Sequence, residues 1–150
     1  MAVQPIPDGY HTVTPYLTVP GADRLMTFLK GAFGAEEVFS MQRPDGALGH
    51  AEIRIGNSIV MLSEPTAECT PMPATLYLYV SDVDATYRRA LEAGGTSVIE
   101  PADQFWGDRT GAVKDASGNC WWIATHVEDV SPGELERRAA ECFAQPPAGG

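Results

Sequence analysis

Basic side chains are scarce in this chain. Ten Lys and Arg stand against twenty Asp and Glu, for a formal net charge of −10. Nucleic acid and anionic lipid surfaces are held by positive charge, so neither is expected as a partner, and a neutral or cationic partner is favoured. No apolar run approaches the roughly 18 residues of a membrane-crossing helix. The opening Met1-Ala2-Val3-Gln4-Pro5-Ile6-Pro7 has neither the basic start nor the apolar stretch of a secretory signal, and a cytoplasmic location is the expectation. Cysteine is also sparse. Cys69, Cys120 and Cys142 are an odd set without zinc-site spacing, expected as reduced thiols. No Gly-rich loop precedes a helix, because Gly94-Gly95 follows one, the wrong end for holding an anion. No Ser-His-Asp or Cys-His arrangement is supported, and Cys120 has no histidine neighbour in the sequence.

What is present is a faint internal repeat in 150 residues, the size of one domain. Thr14-Pro15-Tyr16-Leu17-Thr18-Val19 aligns with Thr75-Leu76-Tyr77-Leu78-Tyr79-Val80 at an offset of 80 − 19 = 61. Gly49, Gly56 and Asn57 align with Gly111, Gly118 and Asn119 at an offset of 111 − 49 = 62. A duplicated unit builds a symmetric shell whose ligand site lies between its halves. Residues 12–19 read as a strand, placed at an edge by Pro15, which lacks a donor. Leu25, Leu29 and Phe33 mark a helix from Gly21 that stops at Gly34. Strands over 37–43, 49–55 and 58–63 follow, punctuated by turns. The second unit repeats the order: a strand over 74–80, a helix capped by Ser81 with Asp84 three residues on, then strands over 97–101, 111–114 and 120–125. Each unit is βαβββ. The loop 104–111 is long for a hairpin and carries Trp106 among charges. Ser131-Pro132-Gly133-Glu134 opens a final helix with cap, early proline and reaching-back glutamate. The division expected is an N-terminal arm over 1–11, one domain over 12–127 with units of about 12–64 and 74–126, and a C-terminal helix and tail over 128–150.

The chain resembles the vicinal-oxygen-chelate superfamily of glyoxalase I, bleomycin-resistance proteins, extradiol dioxygenases and fosfomycin-resistance enzymes. Within it, the chain looks like the glyoxalase-like branch also described as 3-demethylubiquinone methyltransferase-like. The likeness rests on Thr14-Pro15-Tyr16-Leu17, Phe33-Gly34-Ala35-Glu36, Gly49-His50-Ala51-Glu52, Met61-Leu62-Ser63-Glu64, Gly107-Asp108-Arg109-Thr110-Gly111 and Trp121-Trp122-Ile123-Ala124-Thr125-His126. It implies an α+β fold of tandem βαβββ repeats, with curved mixed sheets forming a cup, helices on the convex face, and a cup often completed in a homodimer. The turn Asp115-Ala116-Ser117-Gly118-Asn119-Cys120 departs from the branch, having Asn119 and Cys120 where histidine and arginine are usual. The resemblance also implies metal-ligand positions on the first and last strands of each unit, here Thr14, Val60, Thr75 and Trp122. None is a good ligand for a divalent cation. The expected metal and cofactor complement is therefore none, although His50 and Glu52, two apart on a strand, leave a displaced metal open.

Strand alternation sorts the faces. Ala51, Ile53, Ile55, Leu17, Val19, Leu76, Leu78, Val80, Trp121 and Ile123 belong to the helix side. Tyr16, His50, Glu52, Arg54, Tyr77, Tyr79 and Trp122 belong to the cup, a composition suited to a flat or amphipathic organic ligand. The tyrosines suit a ligand surface or a dimer seam equally. His50 is the candidate acid–base group and Glu52 its orienting partner, with a solvated or structural pair as the plain alternative. Trp106 and Arg109 are candidate ligand contacts from the loop. Arg109 either clamps an anion or pairs with Asp103 or Asp108. His11 and His126 are assigned to structure or solvent. The favoured function is a metal-independent small-molecule binding protein of the bleomycin-resistance type, sequestering or carrying an aromatic or cationic ligand. A metal-free isomerase or lyase using His50 and Glu52, and a metal-dependent glyoxalase-type lyase with relocated ligands, are the alternatives.

Overall fold

The structure is a computed structural model describing residues 2–145. The first unit runs β1 (Tyr16–Thr18), α1 (Ala22–Phe33), β2 (Glu36–Gln42), β3 (Leu48–Ile55) and β4 (Ser58–Ser63). The second runs β5 (Thr75–Tyr79), α2 (Val83–Glu92), β6 (Thr96–Asp103), β7 (Asp108–Lys114) and β8 (Cys120–His126), and α3 (Pro132–Ala144) closes the chain. Two four-stranded mixed sheets result, ordered β1-β4-β3-β2 and β5-β8-β7-β6, each with one parallel pair, β1 with β4 and β5 with β8. The expected α+β architecture of tandem βαβββ units with a C-terminal helix is what the chain forms.

The helices form where apolar side chains recur on one face. In α1 these are Leu25, Phe28, Leu29 and Ala32, all buried. Gly34 ends the helix in a left-handed conformation, its N–H donating to Lys30 O, and the Ala22 N–H at the start is taken by Glu64 Oε1 at 2.8 Å. The helices pack together, Gly31 lying against Ala93, and the core fills the space between them and the sheets with Leu17, Ile53, Leu62, Val113, Trp121 and Ile123. Each of these side chains is worth about 1.5–3 kcal/mol on burial.

The turn over 115–120 has a structural use. Asp115 accepts from the backbone of Ser117 and Asn119, from Asn119 Nδ2 at 2.9 Å, and from Trp121 Nε1 at 2.8 Å. Asn119 in turn accepts the Ala74 N–H at 2.9 Å and so fixes the entry to β5.

Several expected boundaries move. The first strand is shorter than 12–19, because its ladder with β4 spans only Tyr16–Thr18, although it is an edge strand as Pro15 required. The cap of α2 is Asp82 and not Ser81. Val83 N–H donates to Thr125 Oγ1, which keeps the chain extended through residue 82, and Asp82 then accepts from Ala85 N at 3.1 Å. Ser131 caps α3 as expected, accepting from Glu134 N, but Glu134 turns its carboxylate forward to Arg137 and Arg138. The loop expected over 104–111 is four residues long. Gln104 N–H closes on Asp108 O at 2.8 Å, so Asp108 to Thr110 belong to β7.

Candidate functional site

Period-two alternation gives each sheet a helix-covered face and an opposite face, the one expected to be concave. On the N-terminal sheet Tyr16, Met61, Glu52 and Phe39 form one row across the concave side. On the C-terminal sheet the corresponding row is Tyr77, Trp122, Ala112 and Ile99. Tyr16 pairs with Met61 as Tyr77 pairs with Trp122, a constant offset of 77 − 16 = 122 − 61 = 61. Val60, expected on this side, instead pairs with Ile53 and lies in the core. Carrying the offset of 62 back from Trp122 slips the register by one, and a one-residue slip reverses the face.

The N-terminal face carries a connected polar chain. One nitrogen of His50, Nε2, lies 2.8 Å from Glu52 Oε2, and Nδ1 lies 3.1 Å from Tyr16 Oη. The other Glu52 oxygen accepts the hydroxyl of Tyr10, from the N-terminal arm. A neutral His50 that donates from Nε2 to the carboxylate has Nδ1 free to accept from Tyr16. The bonds from Tyr10 and then His50 hold the Glu52 carboxyl below its ordinary value, and the bond to Glu52 raises the Tyr10 phenol. A cavity of about 440 Å³ lies here, lined by Pro5, Tyr10, His11, Thr14, Glu52 and Met61. The arm therefore folds onto this face. Arg54 shares the face but stands at its margin, 3.9 Å from Glu36.

The C-terminal face is organised around Asp108, only 2% exposed. Its Oδ2 accepts from Tyr77 Oη at 2.7 Å, Tyr79 Oη at 2.9 Å and Trp106 Nε1 at 3.2 Å. Its Oδ1 lies 2.9 Å from His126 Nδ1, and His126 Nε2 lies 2.7 Å from Asp129. Burial pushes the Asp108 carboxyl up, but the bonds from His126, Tyr77, Tyr79 and Trp106 outweigh it and hold it below the usual value. Burial and then Asp108 raise the Tyr77 phenol, and the Asp108 bond raises that of Tyr79. Asp108 and then Asp129 raise the His126 imidazole. Tyr77 and Trp122 stack, with ring planes 15° apart and centroids 6.3 Å apart.

Arg109 is not brought to this face. Successive strand residues point to opposite sides, so Asp108 turns to the concavity and Arg109 to α2. There its Nε and Nη2 each donate to Asp84 at 2.9 Å, and Nη1 reaches Asp103 at 3.3 Å. The partner is Asp84 together with Asp103, and Asp108 is excluded by geometry. A further cavity of about 710 Å³ follows the open edge of β5 between the units, touching Pro15, Phe33, Val60, Tyr77, Tyr79 and Arg89. It reaches neither His50, Glu52 nor Asp108.

The structure thus joins His50, Glu52 and Tyr16 in one cluster and Tyr77, Tyr79, Trp106 and Trp122 in another. Asp108, Tyr10, Met61 and the role of His126 were not read from the sequence. His126 lies two residues beyond Ala124, so alternation carried that signal. Asp108 was hidden by a strand start placed three residues late.

The family model described as the Glyoxalase/Bleomycin resistance protein/Dioxygenase superfamily matches residues 10–123. The chain belongs to this superfamily. An uncharacterized protein of Mycobacterium bovis is 38% identical over 135 residues, covering 83% of this chain and 89% of its own. The crystal structure of TioX from Micromonospora sp. ML1 superposes with a TM-score of 0.67 at 28% identity, over 78% of this chain and 99% of that one. TnmS3, an antibiotic binding protein from Streptomyces sp. CB03234, superposes with a TM-score of 0.63 at 19% identity, over 84% and 98% of the two chains, a likeness of fold.

The metal implied by the superfamily does not fit these residues. The implied positions are Thr14, which lies two residues before β1, Thr75 and Trp122 on their strands and, by the observed register, Met61 in place of Val60. They supply no imidazole nitrogen or carboxylate oxygen. The His50 and Glu52 donors are already engaged with each other and with Tyr16 and Tyr10. Among the described residues no three His, Cys, Asp or Glu side chains come together as a ligand set.

Proposed function

We propose that this protein is a metal-independent binder of a flat organic molecule, aromatic or cationic, working as a cytoplasmic homodimer of the glyoxalase-like branch. The observation that carries the reading is the stacked Tyr77 and Trp122 pair on the sheet face away from the helices, with the tyrosine hydroxyl tethered to a buried carboxylate. Such a pair is a rigid apolar platform with a polar rim. Tyr16, Tyr77, Tyr79, Trp106 and Trp122 are the ligand contacts, with Arg54 at the margin. TnmS3 supports the reading only by showing a fold that holds an antibiotic. Support for the dimer comes from Phe39 and Met41 on β2, 47% and 53% exposed on the concave side. A facing sheet from a second copy would cover them and enclose the platform.

A thermal-shift screen over antibiotics and flat amines tests this, because a ligand that binds only the folded state raises its melting temperature. A hit should lose roughly tenfold or more in affinity in Trp122→Ala, as expected for removing about 1.5 kcal/mol of stacking. Binding unchanged in that variant overturns the platform. Elemental analysis of the purified protein is expected to find no stoichiometric transition metal.

The Glu52, His50 and Tyr16 chain favours a second reading, a metal-free isomerase or lyase. There Glu52 orients His50, and His50 exchanges a proton with substrate directly or through Tyr16. His50→Ala would then abolish turnover with ligand affinity largely kept, whereas in a pure binder it weakens binding only.

A further inference from the structure

The C-terminal concave face has a fixed hydrogen-bonding sense. An ionised carboxylate only accepts, so Tyr77 and Tyr79 both direct their single hydroxyl hydrogen inward to Asp108 Oδ2, at 2.7 and 2.9 Å. What each phenol oxygen turns outward is its lone pairs. Tyr79, 65% exposed, has no donor on its oxygen among the described residues and is the more open acceptor of the two, whereas the Tyr77 oxygen receives Trp106 Nε1 at 3.3 Å and is also touched by the Thr110 hydroxyl. His126 adds no free donor, since its nitrogens are engaged by Asp108 and Asp129. The adjacent cation, Arg109, is held on the other face by Asp84. Among the described residues no Lys or Arg bonds Asp108; His126, whose two nitrogens both meet carboxylates, is the group paired with its charge, and that pairing occupies Oδ1 and leaves the two phenol hydrogens on Oδ2.

We infer that Tyr77 and Tyr79 form an acceptor-only site that selects flat ligands bearing an N–H donor, above all a protonated heteroaromatic amine, and rejects their carboxylate counterparts. The inference rests on the binding function proposed above and names the ligand chemistry of that same face. The ring of such a ligand lies on the Tyr77 and Trp122 platform, which also favours a cation through its π-faces. Its N–H reaches the phenol oxygens at the rim. An anion there would face phenol lone pairs, and reversing a tyrosine hydroxyl to meet it would strip a donor from a buried carboxylate.

The test compares 9-aminoacridine, a planar cation with exocyclic N–H groups near neutral pH, with acridine-9-carboxylate, the same ring bearing an acceptor-only anion. Isothermal titration calorimetry of the whole protein is expected to give at least tenfold tighter binding of 9-aminoacridine. Tyr79→Phe leaves the net charge and the exposed ring in place and removes one free oxygen. It should weaken 9-aminoacridine by roughly tenfold, the worth of one hydrogen bond to a charged group, and leave acridine-9-carboxylate unchanged. This variant keeps the overall charge but also takes one donor from Asp108, which by itself would draw a cation more strongly, so a loss of 9-aminoacridine affinity reports the phenol oxygen and not general attraction of a cation to an acidic protein. Equal or tighter binding of acridine-9-carboxylate, or an unchanged 9-aminoacridine affinity in Tyr79→Phe, overturns the inference. If both probes bind equally and both are lost in Trp122→Ala, the platform stands and the acceptor selectivity falls. No heat from either probe overturns both.

Discussion

Asp108 ends up among four donors because three elements converge on the start of β7: β5 brings Tyr77 and Tyr79, β8 brings His126, and the hairpin brings Trp106. The consequence for pH follows from the directions of the shifts. The Asp108 carboxyl lies below its unfolded value, so its contribution to stability is present above that unfolded value and is lost as pH falls through the depressed one. The His126 imidazole lies above its unfolded value, so its contribution is complete below that value and is lost as pH rises through the raised one. An NMR titration of the three histidine side chains should show His126 with a midpoint above the ordinary value of about 6.5. Asp129→Asn, at an exposed position, should move the midpoint down. A wild-type midpoint at the ordinary value would show that these bonds do not hold in solution. Alternation placed Tyr77 and Tyr79 on one face from sequence, since a spacing of two needs only a strand, and the same rule set Trp122 apart from the core residues Trp121 and Ile123 on β8. What joins the two tyrosines to Asp108 is cross-strand register, which no local pattern encodes.

At the scale of elements, the hairpin between β6 and β7 is the piece on which the C-terminal site depends. Gly107 takes φ 101°, which disfavours any side chain, and its carbonyl accepts the N–H groups of Val127 and Glu128 at 2.9 and 3.0 Å. A methyl group there would collide with the Glu128 carbonyl. Gly107→Ala is therefore expected to cost about 3 kcal/mol in urea unfolding. It should also displace Trp106 and so weaken ligand binding. A loss under about 0.5 kcal/mol, the range of a neutral surface change, would contradict the close approach. The sequence pointed to this segment through its Trp among charges but gave it twice its length. Gly107 and Asp108 are depleted in strands by propensity, and only the pairing of Asp108 with His126 starts the strand there, ahead of Thr110 and its partner Ala124.

For the whole molecule, the open question of chemistry is what covers two concave faces whose outer strands, β2 and β6, are exposed along almost their full length. A second copy covers both at once if the N-terminal sheet of one protomer faces the C-terminal sheet of the other. Sedimentation analysis should then give twice the 16.1 kDa chain mass. Met41→Glu should shift the protein to monomer and weaken ligand binding with it, since it removes an exposed apolar contact and adds a charge to an already acidic surface. A dimer that persists in this variant, with binding intact, would place the seam elsewhere.

The sequence by itself determined the duplicated βαβββ order, the helix faces and the shared face of Tyr77 and Tyr79. These follow from residue type and periodicity, which act over a few residues at a time. Tertiary structure alone decided that Met61 and not Val60 opposes Tyr16, that Arg109 serves α2, that the arm delivers Tyr10 to Glu52, and that Asp108 gathers both tyrosines. Each of these depends on which strands lie side by side and in what register. That is set by packing the two units around one core, over separations at which the chain carries no local signal.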